Sequence, residues 1–70
     1  MAEVTMPMNG KVINVLVNIG DSVQEDQDLV IIEAMKMELP IVAVASGAIK
    51  EIKAKVGDSY QVGDVLAIIE

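Results

Sequence analysis

Cysteine, histidine, arginine, tryptophan and phenylalanine are all absent from this 70-residue chain, and Tyr60 is its only aromatic residue. Without cysteine no disulfide staples the fold. Without cysteine and histidine no zinc site of the usual kind does so either. A histidine-dependent catalytic triad is excluded, and self-contained catalysis is not expected, although composition alone leaves paired carboxylates open. The core has to be aliphatic. Positive charge is scarce: five lysines face eleven carboxylates, for a net charge of −6. That balance argues against a nucleic-acid partner, because phosphate binding needs a basic surface, and it favours solubility. No apolar run approaches the ~20 residues of a membrane span. No charged-then-apolar leader opens the chain, so the expected compartment is the cytoplasm.

What is present is aliphatic and β-branched. Hydrophobic residues make up 53% of the chain, with valine and isoleucine prominent, and these favour strands. The expectation is one small domain spanning residues 1–70. A chain of this length buries only about 60% of its unfolded surface, so it has to be unusually well packed.

Val4 to Met6 reads as a short first strand ended by Pro7, and Asn9-Gly10 is a turn signal. From Lys11 to Ile19, Ile13, Val15, Val17 and Ile19 alternate with Asn14, Leu16 and Asn18, the pattern of a strand with one buried face. Gly20-Asp21-Ser22 is a turn, Gln24 to Asp28 a polar loop, and Leu29 to Ile32 a second strand. The sequence then repeats itself. A shift of 37 positions places Gly10 on Gly47, Gly20-Asp21-Ser22 on Gly57-Asp58-Ser59, Gln24 on Gln61, and Leu29, Ile31, Ile32 and Glu33 on Leu66, Ile68, Ile69 and Glu70. The copies run Gly10–Glu33 and Gly47–Glu70. A shared bias toward valine and isoleucine does not explain the matched Gly-Asp-Ser turns.

Two short copies are too few for a solenoid. Each can instead cover the apolar side of the other. The expected fold is therefore all-β: a flattened barrel or sandwich of about seven or eight short strands, its two copies related by a rough twofold axis, without long exposed edges. The linker between the copies runs from Ala34 to Ser46, and Glu33-Ala34-Met35-Lys36-Met37-Glu38 spans its start. The residues of that stretch are good helix formers and Pro40 is a helix stop. The repeat argues otherwise: Leu29–Ile32 copies a strand, and Ile41–Val44 is β-like. Ala34 to Met37 is then a hairpin turn, with Pro40 on an edge strand.

Lys36 thus stands at an exposed hairpin tip. An exposed lysine amine is almost wholly protonated at neutral pH, and only the deprotonated form is a nucleophile. No base is at hand, and nearby carboxylates such as Glu33 and Glu38 favour the charged form. Lys36 is better suited to modification by another enzyme than to catalysis, or else it is simply a solvated lysine. Met35 and Met37 either tuck into the core or lie exposed for a partner to cover.

Glu33-Ala34-Met35-Lys36-Met37 resembles the biotin attachment motif of biotinyl domains, the carriers of biotin-dependent carboxylases. Ile41, Ala43 and Ser46-Gly47 fit that pattern downstream. So do Gly20-Asp21 with Val23, and Gly57-Asp58 with Leu66. The resemblance runs from about Val4 to Glu70. It implies a capped, flattened barrel of two four-stranded antiparallel sheets related by a pseudo-twofold, with biotin joined through an amide to Lys36 by a biotin protein ligase acting on biotinyl-adenylate. It further implies a non-catalytic carrier that takes a carboxyl group from a biotin carboxylase site to a carboxyltransferase site. Met35, Met37 and Ala34, with Glu33 and Glu38, then form the recognition context of the lysine. Two departures stand out. Asp26 occupies the place of Gly63 in the other copy, where the family often has glycine. The segment Asn18-Ile19-Gly20-Asp21 leaves no room for the protruding loop of some bacterial carriers, so the chain resembles the loop-less type. The alternatives are a lipoyl domain, which usually carries Asp-Lys-Ala at the tip, and an interaction module whose lysine is never modified.

Overall fold

The structure, a computed structural model, describes residues 1–70. It contains eight strands and no helix: β1 (Ala2–Thr5), β2 (Gly10–Val15), β3 (Ser22–Val23), β4 (Asp28–Ala34), β5 (Met37–Val42), β6 (Gly47–Ile52), β7 (Ser59–Tyr60) and β8 (Val65–Ile69). They form two four-stranded antiparallel sheets with the orders β1-β8-β6-β3 and β5-β4-β2-β7. The 37-residue shift turns one order into the other strand for strand. The repeat is therefore longer than the sequence match: β1 and β5 are also mates, each pairing with the last strand of a copy.

Each sheet takes its two central strands from one copy and its two edge strands from the other. Neither copy can complete a sheet alone. This interlock gives a 70-residue chain a closed core without metal or disulfide. All sixteen buried residues are apolar, and no buried side-chain polar atom lacks a partner. The largest core side chains come as twofold mates: Val12 with Ile49, Leu29 with Leu66, and Ile32 with Ile69.

Three local expectations are corrected. The first strand begins earlier, at Ala2, and ends at Thr5; Met6 lies just beyond it but is buried. The strand expected to reach Ile19 stops at Val15. Its register slips between Val12 and Asn14, so that Ile13 is the extra residue of a β-bulge. Before the bulge Val12 faces the core, and beyond it Val17 is buried as expected, while Ile19, expected inside, lies past the strand next to the Gly20 turn and is 65% exposed. The same slip recurs between Ile49 and Glu51, which makes it a property of the repeat. Finally, Ser22–Val23 and Ser59–Tyr60, assigned to turn and loop by the sequence, are two-residue strands on sheet edges. Pro40 does lie on an edge strand, where its missing amide costs no ladder bond.

Asp26 adopts φ 71°, and its mate Gly63 has φ 91°. The turn is the same in both copies. Aspartate is one of the few non-glycine residues that visit the left-handed region readily, which is why the substitution is accommodated.

Candidate functional site

The hairpin between β4 and β5 carries the motif. Ala34 pairs with Met37, leaving Met35 and Lys36 as a two-residue turn. Both turn residues have positive φ, 53° at Met35 and 65° at Lys36. Positive φ at both central positions is the pattern of a type I′ turn, whose twist matches that of the flanking strands. Asn-Gly is the usual occupant. A left-handed conformation costs other residues roughly 1–2 kcal/mol each. The tip is thus held in a tight, strained turn by the pairing of its strands. Register forces this: the ladder runs unbroken from Val30↔Ile41 to Ala34↔Met37, and only two residues remain to reverse the chain.

The root of the hairpin is rigid. Ala34 is buried, so the small side chain at this position packs inward instead of meeting a partner. Beneath it, β2 passes so close that a Cβ on Gly10 would stand 2.8 Å from the Glu33 carbonyl oxygen and 3.1 Å from the Ala34 Cβ. Glycine is what permits this approach. Beside the hairpin lies an open groove of about 530 Å³ whose walls include Asn9, Lys11, Glu33, Met35, Tyr60 and Gln61. Tyr60 is fixed in this wall: its hydroxyl accepts a hydrogen bond from the Lys55 amide at 2.9 Å and donates one to the Lys53 carbonyl at 3.1 Å.

Lys36 is exposed and unpaired; the one ion pair of the molecule joins Lys53 to Glu51. Met35 is 85% exposed and Met37 61%. Of the two alternatives open to the methionines, the core is ruled out and the surface holds. Glu33 and Glu38 stand directly opposite each other on neighbouring strands, with Lys11 next to Glu33 on the far side. Like charges in that arrangement repel, so the carboxylate pair adds nothing to the stability of the hairpin. The structure therefore brings Glu33, Met35, Lys36, Met37 and Glu38 to one exposed tip and withdraws Ala34 from it. The sequence reading did not include Gly10, Tyr60 or the groove. Tyr60 as the sole aromatic, shifted 37 positions from Val23, was the available signal.

The Lys36 amine projects from a tip with no contact that amide formation would break, and the exposed methionines flank it. The family model described as "Biotin-requiring enzyme", Biotin_lipoyl, matches residues 2–69. The chain belongs to this biotin/lipoyl attachment family. Among its relatives, the "Biotin/lipoyl attachment protein" of Bacillus subtilis (strain 168) is 48% identical over 63 residues, which cover 90% of this chain and 86% of that protein. The "Biotin carboxyl carrier protein" of Streptococcus mutans is also 48% identical over 63 residues, covering 90% of this chain and 48% of the relative. Among solved structures, the Kluyveromyces lactis urea carboxylase superposes on 99% of this chain with a TM-score of 0.93 at 32% identity, over 6% of its own length. The match thus spans most of one small relative, about half of another and a small part of a large carboxylase.

The strained turn leads to a prediction. Met35→Gly removes one left-handed non-glycine residue at the expense of glycine's extra unfolded-state freedom, for a net gain of roughly 0.5–1 kcal/mol. Thermal melting should rise by about 4 °C. A drop in melting temperature would show that the Met35 side chain packs on the fold after all.

Proposed function

We propose that this chain is a biotin carboxyl carrier domain with biotin joined covalently to Lys36. The observation that carries the reading is an unpaired lysine at the tip of a rigid type I′-like hairpin, set between two exposed methionines. A carrier has to visit separate active sites. It therefore needs a fixed base and a long, free arm, and covalent tethering keeps the carried group at high local concentration at each site.

The chain's own residues do four things in this reading. Lys36 offers its Nζ to a biotin protein ligase. Amide formation joins that nitrogen to the carboxyl carbon of biotinyl-adenylate and releases AMP, and the two protons that the ammonium gives up pass to the ligase and solvent. Neutralising Lys36 makes the arm easier to bury in an enzyme pocket. Met35 and Met37 supply apolar, adaptable contacts to the enzymes that receive the arm. Glu33 and Glu38 present negative charge to cations on those enzymes. The packed hairpin root, with Gly10 and Ala34, keeps the tip from folding back. Biotin supplies the ureido group that takes up and gives up the carboxyl group. The partners are a biotin protein ligase, a biotin carboxylase and a carboxyltransferase. The chain itself does no chemistry on the carried group.

The decisive experiment is intact-mass spectrometry after incubation with biotin, ATP and a biotin protein ligase, followed by peptide mapping. One biotinyl group on Lys36 is expected. No adduct on a folded chain overturns the reading. Labelling by a lipoate ligase instead would assign the other attachment chemistry of the family.

A further inference from the structure

The two sheets are built on one plan, so residues that differ between twofold mates report on something other than folding. The outer faces differ sharply. Across the first sheet, Glu3, Ile68 and Glu51 form one outward row. Lys50 reaches along this face to the Met1 sulfur at 3.1 Å, and Lys53 pairs with Glu51 at 3.8 Å. The mates on the second sheet carry no charge: Pro40, Ile31 and Asn14 form the row, with Ile13 in place of Lys50 and Leu16 in place of Lys53. Leu16 is 47% exposed, and Ile13 and Ile31 are half-buried. The second sheet is the one that ends in the Lys36 hairpin. A charged row, Glu38, Glu33 and Lys11, borders the neutral face at its hairpin end and leaves that edge with a net negative charge.

We infer that the outer face of β5-β4-β2, with Ile13, Leu16, Ile31 and Pro40, is the surface on which the enzyme that acylates Lys36 seats the domain. This rests on the attachment reading above. Strand spacing and rise make the three-strand face roughly 300 Å². That falls well short of the ~800 Å² per partner of a stable complex and suits a brief encounter, such as that of an enzyme with its protein substrate. The charges point to the same occupant. Glu33 and Glu38 repel each other in the free domain, and cations beside the partner's active-site mouth relieve that repulsion. A second copy of this chain, presenting the same carboxylates, would increase it.

The test exchanges the faces. A triple variant Ile13→Lys, Asn14→Glu, Leu16→Lys gives the second sheet the residues that the first already seats in the same geometry, so the fold tolerates them. The reciprocal variant Lys50→Ile, Glu51→Asn, Lys53→Leu is the control, and thermal melts verify that both are folded. Labelling of Lys36 by a biotin protein ligase with biotin and ATP is followed by mass spectrometry as a function of domain concentration. The first variant is expected to raise KM about tenfold with little change in kcat, the signature of lost uniform binding, and the control to leave both unchanged. Unchanged KM in the first variant, or an equal rise in both, overturns the inference. So does an unaltered chain that sediments as a dimer which only the first variant dissociates. An unaltered chain that takes no biotin overturns the attachment reading and this inference together; one labelled on Lys36 with unchanged KM in the first variant overturns this inference alone.

Discussion

Lys36→Arg is expected to abolish covalent labelling while leaving the fold and its melting temperature intact. The guanidinium keeps the positive charge and the length of the side chain, but it is not a usable amine nucleophile at neutral pH. Lys36 makes no ion pair and its side chain is exposed, so the exchange removes no contact of the fold. The other lysines, at 11, 50, 53 and 55, serve as internal controls in the same mass spectrum. Lys11 is the most informative, because it borders the groove beside the hairpin. Label on Lys11 in the variant would mean that the ligase reads the groove and not the tip.

The largest effect on stability is expected from Leu66→Ala. Leu66 and its mate Leu29 are both 0% exposed, at equivalent places in the shared core. Truncating a fully buried leucine costs about 3 kcal/mol from lost burial and the cavity left behind. A chain this size has a total stability on the order of 4–10 kcal/mol, so a large part of it is lost. Melting should fall by about 12–24 °C. Leu29→Ala should cost about the same, within roughly 0.5 kcal/mol, because the repeat gives both residues the same surroundings. Urea and thermal unfolding of the two variants measure both quantities. A loss below about 1 kcal/mol at either site would show that the sheets do not interlock there.

The hairpin site could be read from the chain because its signals are local. Glu33 to Glu38 lies between two strand-like runs, and the internal repeat overrode the helix-forming character of these residues. The matched Gly-Asp-Ser turns placed the copies opposite each other. Val17 is buried as expected, but the misreading of Val12 and Ile19 has a physical cause: Val12 lies before a β-bulge, and Ile19 lies past the end of the strand. A β-bulge inserts one residue, and every side chain beyond it changes face; nothing in Val-Ile-Asn-Val marks Ile13 as the extra one. Strands as short as Ser22–Val23 and Ser59–Tyr60 carry no alternation to detect. They exist because the other copy offers an edge to pair with.

Composition, the repeat and its turn residues by themselves determined that the chain is an all-β pair of halves packed face to face, with one lysine at an exposed turn between them. These are properties of short windows: alternation, turn chemistry and periodicity act over a few residues. The tertiary structure alone decided the rest. It set the exchange of edge strands, the left-handed backbone at Met35 and Lys36, the exposure of the two methionines, the burial of Ala34, and the neutral face beside the hairpin. Each depends on strand register and on which residues meet across the core, and register is settled only when both halves bury their apolar faces against each other.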